Sequence, residues 1–508
     1  MGGPVGASRS EDESRFKTIP NNTHRNWWSD PDDGSLFNGL QSIDAWQEHF
    51  GHPTSNILGL MNSAGFLPGL IVCWLSDWLG SHYGRRITVW LGSAISIVGG
   101  LIIALANGRG MFIAGRAVLG IGVQGTLVTA PSLLQEIAHP RYRAKISGFY
   151  MSIYYLAAII SACVCRGTLN LAGNQAWRIP CYLQVVGPAF VILTTLNCPE
   201  SPRWLVKKGK EKEARDILVK YHANGKEDDE LVEYEFQEIV VALSEEEANS
   251  QTKYTDYLKS PGNRRRLLII IVVSLGTNWV GNGIIGYYLA PILRTLGIDS
   301  TDQQLQILIG LQVWNCGPSA SGAALGIDKF GRRPLWLTST TGMCLSLCVV
   351  MGLSAGYDKT GTKALGTAVI PFLFLFYGFY DIAWTPLSYS YPIEILTFSL
   401  RTKGQAIFVF MQTLGMATNL WVNPIALEAI SWKYYAVYIA VDFALIFLIY
   451  FTFPETKNRT IEEIAIIFDS HQATELTGIM KGKDMGPQEE QIEGSGAAID
   501  SSSAKASH

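Results

Sequence analysis

Apolar runs of about 18 to 24 residues, the length that crosses a bilayer as a helix, recur along this chain. They lie near 55–76, 87–106, 111–134, 146–165, 180–198, 267–290, 305–327, 335–355, 366–390, 405–427 and 433–453. Polar residues collect in short loops between the runs and in three longer tracts: the first 35 residues, a block over 207–266, and the tail after Pro454. The pattern predicts an all-α polytopic membrane protein. Basic clusters occur in every second loop: Arg85-Arg86, Arg141 to Lys145, Arg203 to Lys212, Arg264 to Arg266, Arg332-Arg333, Arg401 to Lys403, and Lys457 to Arg459. Lys and Arg mark the cytoplasmic side, so these loops and both termini are expected there.

Two of the loops echo each other. Asp328-Lys329-Phe330-Gly331-Arg332-Arg333-Pro334 resembles Asp77 followed by Gly84-Arg85-Arg86 about 250 residues earlier, which suggests one half built twice. The N-terminal copy carries three extra residues between its aspartate and its glycine. Five runs precede the central block and six follow it, so a twelfth span is expected over 35–50. That stretch begins with apolar Leu36-Phe37 and Leu40, but Asp30, Pro31, Asp32 and Asp33 stand just before it. Ionised aspartate is costly in hydrocarbon, so the first helix is expected to be truncated or irregular.

Composition narrows the class further. The chain is 48% hydrophobic and 16% charged, and its net charge of -3 leaves no basic face for nucleic acid. The eight cysteines lie inside or at the edges of apolar runs and read as small buried hydrophobes, without a disulfide framework or metal site. No cofactor is implied. The expected organisation is a disordered cytoplasmic N-terminus (1–32), a six-helix half (33–206), a cytoplasmic helical linker (207–266), a second six-helix half (267–467) and a disordered tail (468–508). The linker's charges read as a solvated face.

Six motifs in order resemble the sugar porter family of the major facilitator superfamily, over 33 to about 467. They are Gly115-Arg116 with Gly120 and Gly122; Pro131 to Glu136 with Arg143; Pro199-Glu200-Ser201-Pro202-Arg203; Asp328 to Pro334; Tyr391 to Glu394 with Arg401; and Pro454-Glu455-Thr456-Lys457. The Asn278-Trp279-Val280-Gly281-Asn282 and Trp314-Asn315 neighbourhoods are similar to the fungal lactose permease-like and hexose transporter branch.

The resemblance implies a major facilitator fold of two six-helix halves that rock about a midplane site. A sugar offers hydroxyls and an apolar face, so amides, acids and aromatic rings are wanted there. Carried over position by position, the implied substrate residues are Thr277, Asn278, Asn282, Asn315, Asp381, Tyr389, Gln412 and Asn419, while Met151 stands where the family has an amide. Trp384, Trp421 and Trp432 read as packing or interfacial residues. Asp33 and Arg116 match the family's proton-coupling pair. An intracellular charge network is implied for Asp77, Arg85, Arg86, Glu136, Arg143, Glu200, Arg203, Asp328, Arg332, Arg333, Glu394, Arg401 and Glu455, with Glu136 facing Arg143, Glu394 facing Arg401, and Asp328 facing Arg332 and Arg333.

The expected function is proton-coupled secondary transport of a hexose or a disaccharide by a monomer in the plasma membrane. The alternatives are a facilitator or exporter of another polyhydroxylated metabolite, and an inactive paralogue. An enzyme is not expected, because the eight histidines are scattered with no Ser, Cys or metal-ligand spacing around them.

Overall fold

The computed structural model describes residues 33–139, 155–223, 225–227, 229–248, 253–321, 330–396 and 398–457, with isolated positions beyond. Arg143, Met151, Asp328 and the two termini lie outside the described residues. For Asp33 and Arg401 the backbone alone is described.

The helices, in chain order, are α1 Asp33–Ser42, α2 Asp44–His49, α3 Ser55–Ser63, α4 Gly69–Tyr83, α5 Arg85–Ala104 and α6 Arg109–Ile137. Then come α7 Tyr155–Thr168, α8 Gln175–Leu183, α9 Val186–Leu196, α10 Pro202–Lys207, α11 Glu211–His222, α12 Glu230–Ala248 and α13 Asp256–Lys259. The remainder are α14 Pro261–Trp279, α15 Asn282–Thr295, α16 Thr301–Ser321, α17 Arg332–Thr360, α18 Lys363–Ile395, α19 Phe398–Ile430 and α20 Tyr435–Thr452.

Among the described residues, seven helical stretches are long and apolar enough to cross a membrane. One of them, Lys403–Thr452, holds α20 and all but the first turn of α19. Adding α1–α2, α3–α4, α7 and α16 brings the crossings among the described residues to the expected twelve. Large apolar side chains such as Leu193, Phe443 and Phe451 point outward and are exposed, as lipid contact requires. Small residues let backbones close up inside: a Cβ on Gly99 of α5 would overlap Leu119 of α6.

The first span is irregular and is packed into the core. α1 and α2 break at Ile43, which is extended. Phe37, Trp46 and Phe50 are almost fully buried and meet Phe112 and Trp177 at ring distances of 5.1 to 6.2 Å. Its polar residues Asn38 and Gln41 are buried against protein rather than lipid. Asn38 Nδ2 donates to the Gly286 carbonyl at 2.7 Å and Gln41 Nε2 to the Tyr287 carbonyl at 3.0 Å. Pro291, four residues after Tyr287, has no N–H to give that carbonyl, and α15 is kinked at Tyr288. The amide of the first span supplies the missing donor.

The linker helices α11 and α12 carry charge outward, but they also share a small buried cluster of Leu218, Ala223 and Val232. His222 fastens them to α6. Its Nδ1 meets Glu235 Oε2 at 2.5 Å and its Nε2 meets the Ile137 carbonyl at 3.0 Å.

Candidate transport cavity

A cavity of about 250 Å³ lies among α14, α15, α16, α18 and α19, with Tyr155 of α7 closing one wall. Six of the eight residues anticipated for a ligand line it: Thr277, Asn278, Asn282, Asn315, Tyr389 and Gln412. α14 stops after Trp279 and α15 restarts at Asn282, with Gly281 between them at φ +101°, a left-handed conformation that glycine adopts without strain. The break turns Thr277, Asn278 and Asn282 toward one space. Tyr389 Oη donates to Gln412 Oε1 at 3.0 Å, Asn282 Nδ2 to Tyr380 Oη at 3.1 Å, and Asn278 Nδ2 to the Gln412 carbonyl at 3.1 Å. Asn282 Oδ1 and Asn315 Oδ1 are buried with no donor among the described residues. Each can accept from a ligand hydroxyl.

Two anticipated ligand residues fall elsewhere. Asn419 is buried outside the cavity, where Nδ2 donates to the Asn278 carbonyl and Oδ1 accepts from Tyr438. Asn278 is in the last turn of a broken helix whose carbonyls lack intrahelical partners, so the amide caps that end. Asp381 is fully buried behind the cavity wall, and Oδ1 accepts from Tyr155 Oη and Thr385 Oγ1, both at 2.7 Å.

Other lining residues were not anticipated. Gln312 stands one turn before Asn315, and Tyr377, Tyr380, Trp384 and Ser388 form an inward stripe on α18 at helical spacing. Trp384 does pack, edge-on against Trp336 at 4.6 Å with its Nε1 on Thr340, but it lines the cavity too. The spacing was present in the sequence; a helix with apolar residues on every side hides which face is inward.

Arg116 is buried on α6. Nε donates to the Met61 carbonyl at 3.2 Å, Nη2 reaches the carbonyl and Oδ1 of Asn62 at 3.2 and 3.3 Å, and the guanidinium lies 4.7 Å over Phe37. Those carbonyls belong to the last turn of α3, which leaves them open to a side-chain donor. Asn62 Nδ2 in turn donates to Tyr288 Oη at 3.0 Å, and Tyr288 to the Leu420 carbonyl at 2.6 Å. Arg116 is thereby joined to α15 and α19.

At the end carrying the basic loops, two matching constructions appear. Glu200 Oε1 accepts from the backbone N–H of Arg85 and Arg86 at 2.9 and 3.1 Å, capping α5. Glu455 accepts from the N–H of Arg332 and Arg333 at 2.9 and 3.0 Å, capping α17. The N-cap glycines, Gly84 at φ +111° and Gly331 at φ +90°, let each carboxylate approach where a Cβ would collide with it. A carboxylate suits a helix N-terminus because it satisfies orphan donors and opposes the dipole.

The arginine side chains repeat the match. Arg85 pairs with Glu136 at 3.5 Å and Arg332 with Glu394 at 3.2 Å, while Arg86 and Arg333 reach the Leu196 and Tyr450 carbonyls. Among the described residues the ion-pair partners of Glu136 and Glu394 are therefore Arg85 and Arg332, and Glu394 also accepts from Thr456 Oγ1 at 2.7 Å. Arg203 is half-buried in the first turn of α10. Asp77 is exposed and makes no ion pair among the described residues. The three extra residues in this copy continue α4 to Tyr83, which leaves Asp77 well short of the cap.

Several contacts joining the first six spans to the last six lie at the opposite end. Arg166 Nε meets Asp302 Oδ1 at 2.8 Å, Trp421 Nε1 donates to Asn56 Oδ1 at 2.9 Å, and a Cβ on Gly59 would sit 2.7 Å from the Trp421 carbonyl.

A twelve-span helical bundle with a polar cavity at its centre and the same capped loop in each half is a membrane transporter of the major facilitator architecture. The family model described as "Sugar (and other) transporter" matches residues 23–468, and the chain belongs to that family. It is 28% identical over 426 residues to the hexose transporter HXT10 of Saccharomyces cerevisiae, covering 82% of this chain and 76% of that protein. It is 27% identical over 428 residues to the H(+)/hexose cotransporter 1 of Parachlorella kessleri, covering 82% and 77%. The inward open conformation of the xylose transporter XylE from E. coli has the same fold, with a TM-score of 0.70 at 19% identity, covering 85% of this chain and 97% of that one.

Proposed function

We propose that the protein is a secondary active transporter of a sugar, coupled to protons and working by alternating access about this cavity. The observation that carries the reading is the wall itself: Asn282 Oδ1 and Asn315 Oδ1 wait for donors beside Tyr389, Trp384 and Tyr380. Amides beside aromatic faces match a ring whose edges are hydroxyls and whose faces are apolar. At about 250 Å³ the cavity is below the roughly 300–1,000 Å³ of pockets for drug-sized ligands, which favours a single hexose ring over a disaccharide.

In this reading the ligand is held by Thr277, Asn278, Asn282, Asn315, Tyr389 and Gln412, and Asp381 and Asn419 support the wall from behind. Residues 33–206 and 267–467 are the two moving halves, and 207–266 is a cytoplasmic linker between them. The basic loops and both termini lie in the cytoplasm, and the protein acts as a monomer in the plasma membrane. The contacts between halves at the far end then describe a chain closed toward the outside. The Glu136–Arg85 and Glu394–Arg332 pairs stand ready at the open mouth to join a network with Arg143, Asp328 and Arg401 when the cytoplasmic side closes. Proton coupling is supported by the placement of Arg116 in a buried chain of bonds between halves and by the cotransporter among the relatives.

The test is uptake of a panel of labelled sugars in cells that lack their own hexose transporters. Accumulation of a hexose, abolished by a protonophore, is expected. Gln412→Ala, which removes one hydrogen-bonding amide, is expected to raise KM about tenfold. No uptake of any sugar in the panel would overturn the reading, and equilibration without accumulation would leave a facilitator.

A further inference from the structure

Asp381 is fully buried on α18, and its two oxygens differ. Oδ1 accepts from Tyr155 and from Thr385, while Oδ2 is buried with no partner among the described residues. The helices packed on α18 bring uncharged groups to this level: Thr277 and Asn278 from α14, Asn282 from α15, Asn315 from α16, Thr340 from α17 and Gln412 from α19. Along α18 itself the neighbours are Tyr380, Thr385 and Tyr389. No Lys or Arg lies within ion-pair distance of the carboxyl among the described residues.

A carboxylate held by two hydroxyls with no counter-ion is a costly arrangement inside a membrane protein, and a proton on Oδ2 removes the charge. Tyr155 and Thr385 both line the cavity, whereas Asp381 stands behind them. Tyr155 comes from the first six spans and Asp381 from the last six, 226 residues apart. If one set rocks against the other, this hydrogen bond is the one that motion would pull, and once it parted cavity water would reach the carboxyl and solvate its charge.

We propose that the Asp381 carboxyl group carries a proton through the transport cycle, with Tyr155 as the positioning residue that seals it from the cavity. The proposal rests on the reading of the cavity as the transport site, and it adds a protonatable group to Asp33. The proton binds Oδ2 from water on one side when the Tyr155 bond is open, stays while the bond is closed, and leaves to water on the other side. No other bond is made or broken.

Infrared difference spectroscopy on the purified full-length chain in lipid nanodiscs decides the protonation without any sugar. At neutral pH a protonated-carboxyl carbonyl band is expected that disappears in Asp381→Asn and shifts in Tyr155→Phe. A band region unchanged by Asp381→Asn overturns the proposal. Transport in proteoliposomes decides the coupling. Asp381→Asn is expected to lower proton-driven hexose accumulation about tenfold more than it lowers hexose exchange, and Tyr155→Phe to displace the pH profile of exchange. Equal loss of accumulation and exchange in Asp381→Asn overturns it as well. Should the wild type exchange no hexose, the transport reading fails while the infrared result still decides whether this acid holds a proton.

Discussion

Asp442 on α20 is fully buried, and neither of its carboxyl oxygens has a partner among the described residues. Removing an unsatisfied buried polar group and filling its space with a hydrocarbon of similar size tends to stabilise a fold. Asp442→Leu is therefore expected to raise stability by about 1–3 kcal/mol, read as a higher unfolding temperature in detergent. A lower temperature would mean that the acid has a structural partner. Asp302 behaves differently. Its hydrogen bond to Arg166 holds its carboxyl below the ordinary value of 3.8. A depressed value means the contribution is present above the unfolded-state pKa and is lost only as pH falls through the lowered one. Acidification from about pH 7 to about pH 5 is thus expected to leave the Arg166–Asp302 contact intact, and Arg166→Gln to leave the pH profile of transport over that range unchanged. Residue identity alone marked Asp381, Gln412 and Asn419 as polar groups in apolar helices. It could not separate the one that lines the cavity from the one behind its wall and the one capping a helix, because that depends on where α14 breaks.

The helix caps belong to the scale of elements. Glu200 and Glu455 each close the N-terminus of a helix that begins more than a hundred residues earlier in the chain, with the same two backbone donors in both halves. Glu200→Ala and Glu455→Ala are each expected to lower stability by about 1–2 kcal/mol. The two sites share no partner, so the double variant is expected to lose the sum. A loss confined to one site would show that the halves are not equivalent there. The three-residue insertion near Asp77 suggested a distorted N-terminal copy, yet the cap at Gly84 matches the one at Gly331. An insertion placed in a helix lengthens it and need not disturb the turn that follows. The first span teaches the same lesson in reverse. Its hydropathy is poor because Asn38 and Gln41 are committed to carbonyls of α15, one of them deprived of its donor by Pro291.

At the scale of the whole molecule, the two sets of six spans meet tightly at one end, where Gly59 touches the Trp421 backbone. A larger side chain there must hold that end apart. Gly59→Leu is expected to abolish net transport while leaving the protein at normal abundance in the membrane. A cysteine placed at Asn56 should then react faster with a soluble thiol reagent. Normal uptake by Gly59→Leu would show that closure at this end does not need the contact.

The sequence by itself determined the membrane class, eleven of the spans, the loops that share a face and the repeated turn around Gly84 and Gly331. Each of these follows from local hydropathy, charge and a glycine at positive φ, which a short window of residues carries. Only the tertiary structure decided that Glu136 pairs with Arg85, that Tyr155 holds Asp381, and that Gln41 completes α15. Those partners are 51 to 246 residues apart. Hydropathy can specify that a polar group must be satisfied inside the membrane, but the choice of partner is made by packing, where helix breaks expose particular carbonyls to particular neighbours.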